Sequence, residues 1–160
     1  MNTREFLVAR RNAEQPVFRK VLDALPGDQW AYRPHERSPS ASALVWTMAT
    51  EAESCCQLVR EGHIDWHPLA PPDDPEETKA AHDRHYEELT GLVASMNDDA
   101  WLRRAPFRVN GETKMEMTAG DLLWFFFFDA IHHRGQLSTY IRPMGGKVPA
   151  IYGPSADDPG

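Results

Sequence analysis

The segment Trp124-Phe-Phe-Phe-Phe-Asp-Ala-Ile-His-His-Arg-Gly-Gln-Leu137 constrains this chain more than any other. Four consecutive phenylalanines cover every side of a helical turn, because neighbours on a helix point about 100° apart. A helix that is apolar all round has to be surrounded, by its own chain or by a second copy of it. Asp129 and His133 nevertheless follow at i, i+4 spacing, which puts them on one face of that helix. An unpaired charged aspartate is costly inside a bundle, and three readings meet that cost. The two residues hold a metal ion with a further ligand from elsewhere, they satisfy each other as a polar pair, or Asp129 lies at a wet rim. Arg134, Gln136 and Arg142 share this helix. They are expected to pack their stems and bond their heads to loop carbonyls or acids.

Three other stretches carry the three- and four-residue apolar spacing of amphipathic helices. The first runs from Thr3 to about Leu25, with Pro16 expected to kink it or mark its true start, and Pro26-Gly27 ending it. The second runs from the N-cap Ser40 to Glu61 before Gly62, and the third from Glu76 to Met96. Residues 63–75 read as a proline-rich linker, with His63 and His67 as loop residues and His82 and His85 as exposed or rim histidines. A small hairpin is expected over 107–117 around Asn110-Gly111, where apolar and polar residues alternate. Thr118 and Asp121 then resemble a capping box opening the fourth helix, which should reach about Met144 and close on Gly145-Gly146. The expected fold is all-α, a four-helix bundle with long connections, forming one domain over residues 1–160.

Charge and cysteines narrow the function classes. Net charge is −7, and residues 73–99 hold nine acids against two bases, so that segment carries the whole excess. It reads as a solvated helix face. No basic stripe is available to neutralise phosphates, which argues against nucleic acid as a partner. The longest apolar run, Leu122 to Phe128, is too short to span a bilayer, and the chain opens on an amphipathic pattern rather than an apolar leader. Cys55 and Cys56 are adjacent and have no third cysteine to pair with. Together these features lead to the expectation of a cytoplasmic protein with two free thiols.

Several stretches resemble the DinB-like proteins: Asp129-Ala-Ile-His-His-Arg-Gly-Gln-Leu, Tyr140-Ile-Arg-Pro-Met-Gly-Gly, Val148-Pro-Ala-Ile-Tyr-Gly-Pro-Ser, the loop Trp30-Ala-Tyr-Arg-Pro and the second-helix run from Ser40. The resemblance implies a four-helix bundle, commonly a homodimer, with a divalent metal such as zinc or nickel. The usual ligands are one histidine on the second helix and two on the fourth. It also implies relatives among thiol-dependent transferases and isomerases, hence a small-molecule or low-molecular-weight thiol substrate. On this chain His133 matches the second fourth-helix histidine. Asp129 stands where the first usually is, and Thr47 where the second-helix histidine is expected. Thr47 is a poor ligand, so the resemblance predicts a metal site in doubt, with Thr47 lining a cavity. Glu51, one turn on and on the same face, either replaces the missing ligand or pairs with an arginine, with Cys55 a small core residue. Two functions stay open: a metal-dependent enzyme of transferase or isomerase type with an altered metal triad, or a metal-free bundle acting as a small-molecule-binding or dimeric interaction module.

Overall fold

The computed structural model describes residues 1–67 and 69–160. Four long helices form the bundle: α1 (Thr3–Asp23), α2 (Ala41–Glu61), α3 (Pro75–Ser95) and α5 (Ala119–Tyr140). A three-stranded sheet completes the fold: β1 (Ile64–Trp66) lies between α2 and α3 in the chain, and the short helix α4 (Asp98–Leu102), β2 (Arg104–Val109) and β3 (Glu112–Thr118) lie between α3 and α5. The helix starts follow local chemistry. Asn2 and Glu5 form a reciprocal capping box on α1, Ser40 Oγ accepts from the Ala43 N–H at 3.2 Å, and Thr118 Oγ1 accepts from the Asp121 N–H at 3.1 Å. Such caps satisfy amides that the first turn leaves without partners.

Three expectations are corrected. Pro16 does not mark the start of α1, one of the two readings given for it; the helix runs through it from Thr3 to Asp23. Its ring removes one backbone hydrogen bond, and flanking turns packed on the core carry the helix across. The supposed linker 63–75 contributes β1, which pairs in parallel with β2 through Ile64↔Phe107 and Trp66↔Val109. Pro68, in the same stretch, lies outside the described residues. Three residues carry too little alternation to be read as a strand, and their partner lies some forty positions on. The third correction concerns His82, which is buried rather than at the rim. Its ring packs against Phe18 and Tyr86 at centroid distances of 5.5 and 5.7 Å. His85 does sit at the rim, half-buried, with Nδ1 3.1 Å from the Ala49 carbonyl oxygen.

The hairpin forms as read, with Asn110 and Gly111 both at positive φ (50° and 82°). That combination is the turn type whose twist suits antiparallel strands. Gly120, at the start of α5, lies so close to the Trp101 indole that a β-carbon there would stand 2.3 Å from a ring atom. The first turn of α5 is thereby seated on α4. Strict α geometry in α5 ends at Tyr140, and the chain winds on through turns to Gly145, which takes φ 91°.

Two apolar clusters fill the bundle. One gathers Leu7, Cys55, Leu89, Val93, Leu122, Phe126 and Phe127; the other gathers Phe18, Val21, Leu44, Met48, Tyr86, Leu137 and Ile141. Between them on three of the helices fall buried polar residues: Arg11 and Glu14 on α1, Glu51 on α2, and Arg134 on α5 beside Asp129 and His133. Charged groups are seldom buried unless they are paired, so this polar belt is where function is to be sought. Of the four phenylalanines, Phe126 and Phe127 enter the core, while Phe125 and Phe128 are 42% and 61% exposed. Among the described residues, no helix is long and apolar enough to cross a membrane.

Candidate metal centre

The helices α2 and α5 pack side by side and bring Glu51 opposite the i, i+4 pair Asp129 and His133. One ligand atom from each of the three lies within 4.8 Å of the others. His133 Nε2 stands 3.8 Å from Glu51 Oε1 and 3.6 Å from Asp129 Oδ2. These separations are too long for good hydrogen bonds. They suit atoms that share one ion, since ligands held about 2.0–2.2 Å from a common centre stand about 3–4.4 Å apart. The Glu51 side chain is 8% exposed, that of His133 17% and that of Asp129 35%, so solvent reaches the group from the Asp129 side.

Glu51 is the least expected of the three. Its Oε2 is buried and has no hydrogen-bond partner among the described residues. Burial pushes its carboxyl up to about 7, against the opposing influence of His133, while the neighbouring Asp129 charge raises it further. For His133, burial works against the charged form. The contacts to Glu51 and Gln136 and the charges of Glu51 and Asp129 outweigh it and raise the imidazole to about 9. The ring is oriented by Gln136, whose Oε1 lies 2.9 Å from His133 Nδ1. Two carboxylates and an imidazole, one of them with an orphaned buried oxygen, fit a divalent cation.

Two expectations about this site are overturned. Thr47 does not leave the metal site short of a ligand, because Glu51, Asp129 and His133 form a complete group of three without it. A carboxylate one turn further along α2 occupies the place that a histidine at residue 47 would have served. Glu51 does not pair with an arginine either. Among the described residues its charged neighbour is His133. The arginine expected to bond an acid, Arg134, finds Glu14 of α1 instead, with Nη1 2.6 Å from Glu14 Oε2. Tyr152 of the C-terminal segment donates to the same carboxylate at 2.8 Å and accepts from Arg134 Nη2. Cys55 is a buried core thiol, as expected, and burial raises its pKa far above that of a free thiol.

Behind Glu51 the core leaves a cavity of about 20 Å³, bounded also by Arg11, Cys55, Tyr86 and Phe127. That is room for about one water molecule. Glu14 and Arg11 carried no functional signal in the sequence. Each sits in the amphipathic pattern of α1 among exposed charged residues, and only packing against α3 and α5 distinguishes them.

Comparison with known proteins agrees with this architecture. A 43-residue stretch is 42% identical to the uncharacterized protein YrdA of Bacillus subtilis, and it spans 27% of this chain and 26% of that protein. A DinB-like protein from Bacillus cereus superposes with a TM-score of 0.71 at 15% identity, over 92% of this chain and 97% of the other. The mycothiol-dependent maleylpyruvate isomerase superposes with a TM-score of 0.60 at 13% identity, and this chain spans 62% of that enzyme. At such identities the likeness is one of fold. The model of the DinB family matches residues 1–159, and the chain belongs to the DinB family.

Proposed function

We propose that Glu51, Asp129 and His133 hold a divalent metal, and that the protein is an enzyme acting there on a small molecule by thiol-dependent transfer or isomerisation. The observation that carries this reading is the buried Glu51 carboxylate beside Asp129 and His133, whose Oε1 stands 3.8 Å from His133 Nε2 and whose Oε2 has no partner among the described residues. A buried half-satisfied carboxylate is costly, and a cation in that position removes the cost. A bound divalent ion would supply Lewis-acid charge and lower the pKa of a thiol or water beside it. The chain's own residues do the rest. Phe126 and Phe127 close the inner side around a cavity with room for about one water molecule, Gln136 orients the His133 ring, and Asp129 borders the exposed approach. The thiol-dependent class is supported by the fold shared with the isomerase together with this triad.

The test is metal content and its pH dependence in untagged protein. Stoichiometric metal that disappears in His133→Ala is expected, and absence of binding at micromolar zinc and manganese would overturn the reading. Protons held by Glu51 and His133 must leave when the ion binds. Affinity should therefore rise by about two log units per pH unit below about pH 7, by about one between about 7 and 9, and level off above. The metal-free protein behaves oppositely. Both folded-state pKa values are raised, so the stability linked to His133 is full below its ordinary value of 6.5 and is lost as pH rises through about 9. That linked to protonated Glu51 is lost between 4.5 and about 7. Thermal denaturation of the apoprotein from pH 5 to 9 should show a steadily falling midpoint.

The same reading includes a homodimer. Phe125 and Phe128 remain exposed on α5, and Phe128 stacks on Trp124, whose ring lies 5.9 Å from that of Phe6 on α1. This aromatic face is of the kind that closed two-fold contacts bury. Light scattering should give twice the 18.2 kDa chain mass, and Phe125→Lys with Phe128→Lys should give a monomer.

A further inference from the structure

We propose that Gln136 is a positioning residue that fixes the tautomer of His133, keeping the proton on Nδ1 so that Nε2 is the free nitrogen facing Glu51 and Asp129. The inference rests on the metal-binding reading above and deepens it. Gln136 follows His133 by three residues on α5, so the two side chains share a face. Gln136 Oε1 is 2.9 Å from His133 Nδ1. A carbonyl oxygen only accepts, so Nδ1 must carry the hydrogen of that bond. In a neutral imidazole this leaves Nε2 with its lone pair. That atom points between Glu51 Oε1 at 3.8 Å and Asp129 Oδ2 at 3.6 Å.

The opposite arrangement would suit a bundle with no ligand. With the Gln136 amide reversed, its NH₂ would donate to Nδ1, and the neutral ring would carry its proton on Nε2, turned toward the two carboxylates. The observed arrangement instead leaves Nε2 of the neutral ring free beside Glu51 Oε1 and Asp129 Oδ2. Among the described residues Nδ1 has no other hydrogen-bond partner, so the choice of tautomer falls to Gln136. The same helix is anchored next to the pair by Arg134, buried against Glu14, and by Leu137 in the core. Gln136 acts on the site through His133 and does not itself belong to the group of three.

The experiment reads the tautomer directly in metal-free, ¹⁵N-labelled protein, with His133 assigned by the signals lost in His133→Ala. At alkaline pH, where the ring is neutral, long-range proton–nitrogen correlations should show Nδ1–H in the wild type. Gln136→Leu should lose that preference, whereas Gln136→Glu, which keeps an acceptor oxygen at the same place, should retain it. Zinc affinity by chelator competition should fall about 10–100-fold in Gln136→Leu, the range found when outer partners of metal-bound histidines are removed. It should recover in Gln136→Glu. A wild-type spectrum showing Nε2–H overturns the proposal, as does Gln136→Leu binding zinc as tightly as the wild type. Should the leucine variant not fold, the wild-type tautomer and the Gln136→Glu affinity decide the matter. Nδ1–H in a wild type that takes up no zinc would uphold the role of Gln136 while refuting the metal-binding reading, so the two failures are distinguishable.

Discussion

Glu51→Gln is expected to move metal binding and stability in opposite directions. The amide keeps the volume of the side chain and one acceptor oxygen but loses the negative charge. Metal affinity at pH 8 should fall by at least about 100-fold, because a charged ligand is replaced by a neutral amide. The metal-free variant should at the same time be more stable than metal-free wild type. Burial raises the Glu51 carboxyl from 4.5 to about 7. The ionised form is therefore disfavoured in the folded state, and the wild type loses stability as pH rises between those values. Glutamine has no charge to bury and escapes that loss, a gain on the order of 1–3 kcal/mol above pH 7 after His133 loses one of its two neighbouring acids. Chelator competition and denaturation of the apoprotein measure the two effects. A variant less stable than wild type at pH 8 would mean that Glu51 serves the fold rather than a ligand.

Arg134→Met should produce the largest loss of stability. Arg134 is 2% exposed and its partner Glu14 5%. The guanidinium also stacks over Phe18 at 4.6 Å. Methionine fills much of the volume but leaves Glu14 buried with Tyr152 at 2.8 Å and the partly exposed Arg10 at 3.4 Å as its remaining donors. Removing one member of a buried ion pair costs about 3–5 kcal/mol, which for a chain of this length lowers the melting midpoint by roughly 6–20 °C. Adding Glu14→Gln should restore a substantial part, since the stranded charge is what destabilises the single variant. The pH dependence has a definite sign. Burial raises the Glu14 pKa, but the hydrogen bonds from Arg134 and Tyr152 and the charges of Arg134 and Arg10 outweigh it and hold it below 4.5. A depressed carboxyl pKa contributes stability that is present above the unfolded value and lost as pH falls through the folded one. The gap between wild type and Arg134→Met should therefore narrow under acid. A gap that persists at pH 3 would assign the loss to packing.

The two variants also separate the roles within the polar belt. Arg134 and Glu14 neutralise each other, and Tyr152 ties the C-terminal segment to them. Glu51, Asp129 and His133 are left incomplete by comparison, with two carboxyl groups against one imidazole and one carboxyl oxygen without a partner among the described residues. A fold that satisfies one buried charged group and leaves its neighbour open has placed the opening where a ligand can use it.

What could be read from residue order was whatever depends on near neighbours. Ser40 and the Thr118–Asp121 pair marked helix starts because a cap is a bond across three residues. Asn110-Gly111 marked the hairpin because only certain residues accept positive φ. Asp129 and His133 were legible as a pair because i, i+4 spacing fixes a shared face. The tertiary structure decided everything that depends on how one helix is turned toward another. Helical periodicity shows that Thr47, Glu51 and Cys55 lie along one side of α2. It does not show which of them meets α5, and that depends on packing between residues some eighty positions apart. Hence Glu51, not residue 47, completes the candidate centre with Asp129 and His133. For the same reason Arg134 finds Glu14 rather than Glu51, and β1 emerges from a stretch that looks like a linker until β2 lies beside it.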